Sequence, residues 1–163
     1  MRSSFPSCSL TLTEHVRERS CSDQDAATAV IDGRDDQGID AVAVSSPGKA
    51  PHVWLVQAKW HDRGTAGLKQ DEVLKLLRGL NKILDSEYNL FNARFQALTE
   101  RVDAVLGNSK VQVTLAVALL DTVIHSDVRS ILDDECAKLN FARPFVEVRV
   151  LGLKHLHRAI RDF

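Results

Sequence analysis

Three residues of this chain have the types and spacing to carry a reaction together: Asp40, Gln57 and Lys59. They sit in two apolar, β-rich runs, Ile39 to Val44 and His52 to Trp60. Between the runs lies Ser45-Ser46-Pro47-Gly48-Lys49-Ala50-Pro51, a turn-rich loop. The simplest arrangement is an antiparallel hairpin. With its loop centred near Pro47 and Gly48, Val44 faces Val53, Val42 faces Leu55 and Asp40 faces Gln57. Side chains alternate across a strand. Asp40, Val42 and Val44 therefore share a face with Val53, Leu55, Gln57 and Lys59, and the polar members gather at one end. Burying them beside valines is costly unless they satisfy one another or a metal.

A carboxylate and an amide carbonyl are hard oxygen ligands suited to Mg²⁺ or Mn²⁺, which keep part of their water shell. Such an ion lowers the pKa of a bound water and offsets charge on a phosphate, so the set suits phosphodiester hydrolysis. Lys59 would orient the attacking water or neutralise developing charge. Ala58 faces the other side, but its backbone carbonyl is within reach of the same ion.

Gly38-Ile39-Asp40-Ala41 followed by Val56-Gln57-Ala58-Lys59-Trp60 resembles the GID…QxK variant of the PD-(D/E)XK nuclease superfamily, as in Mrr-type restriction endonucleases. The fuller stretch from Asp32 to Asp40, with two helical patterns after the Gln-Ala-Lys strand, looks most like the N-terminal nuclease domain of the abortive infection phage resistance family. The resemblance implies a restriction-endonuclease-like fold and a Mg²⁺- or Mn²⁺-dependent endonuclease acting on double-stranded DNA in bacterial anti-phage defence. It also implies that Asp40 and the Gln57/Lys59 pair form the site, with a helix-borne acid beside them. Glu14 stands where that acid is expected, although Thr11 and Glu14 also have capping-box spacing and Glu18 is a rival. The chain departs from the commoner pattern at Gln57, where an acid usually stands, so the metal needs negative charge from elsewhere.

The rest of the chain must position this set. Short helices are expected over Thr11 to Ser20 and Ala26 to Ile31, followed by the polar loop Asp32-Gly33-Arg34-Asp35-Asp36-Gln37-Gly38. Val73, Leu76, Leu77, Leu80, Ile83 and Leu84 recur at helical spacing, as do Phe91, Phe95, Leu98, Val102 and Val105, giving two amphipathic helices. Val111 to Leu120 reads as a strand covered on both faces. Ser126 is expected to cap a helix carrying Val128, Ile131, Leu132 and Leu139. A strand over Phe145 to Leu151 and a helix over Leu153 to Phe163 follow. The mixture predicts an α/β fold, a central mixed sheet flanked by helices. The 163 residues suit a single domain. The last helical pattern reaches Phe163 without a capping signal, which suits the N-terminal part of a longer protein as well as a frayed terminal helix.

Composition adds bounds. A formal net charge of −1 argues against coating nucleic acid by bulk charge, but not against a local patch with a metal. No apolar run approaches the roughly 20 residues of a membrane span. Cys8, Cys21 and Cys136 lack the spacing of a disulfide framework or zinc site and read as reduced thiols, in keeping with a cytoplasmic protein.

Blander readings stand beside each candidate. Asp40 would serve equally as a turn residue after Gly38, and Lys59 as a strand-end charge. Asp32, Asp35 and Asp36 read as loop residues, one of them a candidate for an outer metal shell. Trp60 and His61, the basic group His155, His157, Lys154, Arg158 and Arg161, and the row Lys69, Lys75, Arg78 and Lys82 each fit either nucleic-acid contact or an ordinary surface. Two other function classes remain open. One is a catalytically silent nuclease-like fold that binds nucleic acid or a partner protein. The other is an assembly module whose helices over 68–106 form a homodimer interface.

Overall fold

The computed structural model describes residues 27–45, 48–59, 67–119 and 124–152. Four strands form one sheet in chain order: β1 (Ala41–Val44), β2 (His52–Lys59), β3 (Gln112–Leu119) and β4 (Val146–Leu151). The first pair is antiparallel, and its register joins Val44 to Val53 and Val42 to Leu55, as the sequence predicts. The other two pairs are parallel. Parallel neighbours need crossovers, and here they are helical. The first carries α1 (Gln70–Leu84), a 3₁₀ turn at Tyr88–Leu90, α2 (Ala93–Gln96) and α3 (Thr99–Leu106); the second carries α4 (Ser126–Leu139). The result is the expected mixed sheet flanked by helices.

One sheet face is the core. Val42, Val53, Leu55, Val113, Leu115 and Val117 are buried there with Val73, Leu76, Leu80, Ile83, Phe95 and Leu132 from the helices. The i, i+3, i+4 rhythm of α1 explains why this one stripe is buried. The α1 N-terminus has no hydroxyl or carboxylate at its capping position; instead Glu72, in its first turn, accepts the Lys69 N–H at 2.8 Å.

Four local expectations are corrected. Phe91 to Val105 is not one helix. Asn92 accepts the Phe95 N–H at 3.1 Å and starts α2, which ends at Gln96; a separate α3 begins at Thr99. At the break the Thr99 hydroxyl donates to the Gln96 carbonyl at 2.8 Å, and the apolar spacing survives across it. The helix expected to reach Ile31 is helical over 27–29 and then gives way to an antiparallel bridge between Val30 and Ala41. Ser126 does not cap α4: His125 holds that position, and the Ser126 hydroxyl donates to Asp127 Oδ1 at 2.9 Å. The strand expected to start at Val111 starts at Gln112 and is described as far as Leu119. The expected first helix with Glu14 and Glu18, Trp60, His61 and the basic group at 154–161 lie outside the described residues.

Candidate active site

The backbone of the loop leading into β1 is tightly tied. Ile31 and Asp32 both donate their N–H groups to the Asp40 carbonyl, at 2.8 and 3.0 Å, and Asp40 donates to Val56 at 2.8 Å. Between them Asp35 and Gln37 adopt φ of 61° and 56°, a conformation that ordinary residues rarely hold. Such strain persists only where surroundings over-determine it. Here Asp36 Oδ1 accepts the Gly38 N–H and the Lys75 ammonium, each at 2.7 Å. Gln37 donates to the Leu90 carbonyl at 2.7 Å and accepts from Lys82 at 2.8 Å. Arg94 and Asn92 hold the carbonyls of Asp32 and Ile31.

Two glycines let this loop lie directly on α1. A side chain at Gly79 would place its Cβ 2.5 Å from the Gln37 carbonyl oxygen, and one at Gly38 would stand 3.0 Å from the Leu76 nitrogen. Gly38 also holds φ +82°. Backbone meets backbone, and Asp40 is thereby fixed relative to the helix.

At the end of β2, Gln57 is buried at 4% exposure and turns its amide nitrogen on Asp40 Oδ2 at 2.6 Å. The Ala58 N–H donates to the same oxygen at 2.6 Å, and the Ala58 carbonyl lies 3.4 Å from the Gln57 amide nitrogen. Both short bonds land on Oδ2. Asp40, Gln57, Ala58 and Lys59 are thus brought together as the pairing predicts. They line an open cleft of about 730 Å³ with Asp32, Asp36, Glu72 and Lys75.

Among the described residues, Asp32, Asp36 and Asp40 offer oxygens within 4.8 Å of one another. Sequence reasoning read Asp32 and Asp36 as loop residues, one of them a candidate for an outer metal shell; their spacing at every fourth position up to Asp40 was the available signal. Glu72, whose Oε1 lies 3.1 Å from Lys59 Nζ, was missed, because only tertiary packing brings α1 to the end of β2. Lys75 and Lys82, which the sequence left as either nucleic-acid contacts or ordinary surface, bind the loop before β1 through Asp36 and Gln37.

No protein-family model, curated protein or solved structure matches this chain.

Charge is unbalanced in the cleft. Partial burial pushes the Asp40 carboxyl above the ordinary carboxylate value, and Asp32 and Asp36 push the same way; the Ala58 N–H and Lys59 oppose them. Asp36 ends below its ordinary value: burial raises it, but the hydrogen bonds from Lys75 and Gly38 outweigh burial. Three hard carboxylates converging in an open cleft are a donor set that fits Mg²⁺ or Mn²⁺, and a divalent cation would relieve their repulsion.

Proposed function

We propose that this chain is a divalent-metal-dependent nuclease that hydrolyses phosphodiester bonds in double-stranded DNA. The observation that carries the reading is the convergence of Asp32, Asp36 and Asp40 beside Lys59 in one open cleft. Asp40 would hold Mg²⁺ or Mn²⁺, with Asp32 or Asp36 and the Ala58 carbonyl as further oxygens. The bound ion supplies a water of lowered pKa and a counter-charge for the phosphate. Gln57 keeps Asp40 in place through its 2.6 Å bond, and its neutrality is offset by the two aspartates of the preceding loop. Lys59 contributes a fixed positive charge at the phosphate. The likeness of the Gly-Ile-Asp and Gln-Ala-Lys stretches to restriction-type nucleases supports a cytoplasmic role in anti-phage defence.

One observation favours a silent fold that only binds nucleic acid: the residue bonded to Asp40 at the end of β2 is the neutral Gln57 rather than a second carboxylate. Incubation of the protein with Mn²⁺ and plasmid, single-stranded DNA or RNA separates the readings. EDTA-sensitive breakage of plasmid supports the proposal, and breakage of RNA alone moves the substrate class. No breakage of any substrate, together with no Mn²⁺ binding, favours the silent fold.

A further inference from the structure

We propose that Glu72 is a positioning residue for Lys59, so that the first turn of α1 completes the reaction site; this rests on the nuclease reading of the cleft. Lys59 is the last residue of β2, and its Nζ lies 3.1 Å from Glu72 Oε1. The other carboxylate oxygen, Oε2, accepts the Lys69 N–H at 2.8 Å. A single side chain therefore joins an otherwise unsatisfied N–H at the start of a helix to the ammonium at the end of a strand. The two side chains are 24% and 28% exposed, so the pair is sheltered from full solvent screening.

The chemistry explains why an acid belongs there. A lysine stem has four flexible carbons, and an untethered ammonium samples many positions. Holding it before substrate arrives reduces the ordering left for the reaction step. The neighbour two residues earlier on the strand, Gln57, is neutral and bonded to Asp40, so it cannot provide the counter-charge. Glu72 provides it from α1. Glu72 is directed at Lys59 and the helix start, while Asp32, Asp36 and Asp40 converge separately. The helix cap also fixes Glu72 itself, which makes it a rigid anchor for the lysine.

Glu72→Gln in the full chain isolates this role. A glutamine oxygen still accepts the Lys69 N–H, as glutamine does at the third position of capped helices, while the negative charge facing Lys59 is lost. Two readouts are needed on protein of unchanged circular dichroism. The rate at which an amine-reactive ester modifies Lys59, followed by peptide mass spectrometry, should rise about threefold or more with other lysines unchanged. Cleavage kcat should fall about tenfold, while KM for DNA and the Mn²⁺ affinity stay within about twofold, and Glu72→Asp should recover part of the loss. Lys59 labelling at the wild-type rate would overturn the pairing. A cutting enzyme whose Glu72→Gln variant keeps its kcat overturns this inference alone. A wild type that cuts nothing overturns the nuclease reading and the use of the pair in catalysis with it.

Discussion

Asp40 is held in a form that the metal-free fold disfavours. Its carboxyl is raised by partial burial and by Asp32 and Asp36. A raised acid stabilises the fold below its unfolded value and loses that contribution as pH climbs through the folded value, so at neutral pH the ionised group is a cost. Asp40→Asn can keep both bonds at the Oδ2 position while removing the charge. In EDTA at pH 7 it should therefore be more stable than wild type by about 1 kcal/mol, read as a higher Tm. A lower Tm would mean that the carboxylate charge is already compensated. Asp36 has the opposite sign. Its lowered value means stability present above 3.8 and lost as pH falls below it. The stability gap between wild type and Asp36→Asn, measured by urea unfolding, should be largest at neutral pH and shrink as pH drops through that range. Asp40, Gln57 and Lys59 were legible because strand alternation and hairpin register are local rules. Asp32 and Asp36 were visible only as loop acids, because their convergence on Asp40 depends on the loop fold, and Glu72 was not visible, because only helix packing brings it to the end of β2.

At the scale of elements, the site depends on α1 touching the loop through bare backbone. Glycine in a helix interior ordinarily costs about 1 kcal/mol relative to alanine, so Gly79→Ala would stabilise an isolated helix. Here the added methyl would stand 2.5 Å from the Gln37 carbonyl oxygen and 3.1 Å from Ile39 Cδ1. The sign should reverse, with a loss of roughly 1–3 kcal/mol and a Tm lower by roughly 2–4 °C for each kcal/mol. An unchanged or higher Tm would show that the loop moves aside easily. The α1 helix was visible in the sequence because its apolar stripe has a single period. The break between α2 and α3 was hidden because Phe95, Leu98 and Val102 keep helical spacing across it.

For the whole molecule, mixed helix and strand patterning was enough to give the sheet-and-helix class, since few layer arrangements bury such elements. It did not specify that β2, β3 and β4 run parallel, which depends on crossovers of many residues rather than on any strand's own residues. Among the described residues no helix is long and apolar enough to cross a membrane. A metal that binds only the folded chain stabilises all of it. Mn²⁺ at about 100 times its Kd should add about 2.7 kcal/mol, a Tm rise of several degrees that EDTA reverses. No rise at millimolar Mn²⁺ would argue against a metal centre.

The most direct test of the central claim is plasmid cleavage by wild type and Asp40→Asn side by side, with Mg²⁺ or Mn²⁺ and with EDTA. Because the variant is expected to be at least as stable as wild type, loss of activity cannot be assigned to unfolding. Cleavage by wild type that stops with EDTA and falls about 100-fold or more in Asp40→Asn is the predicted result. Equal cleavage by the two proteins, or cleavage indifferent to EDTA, would contradict a metal-dependent reaction at Asp40.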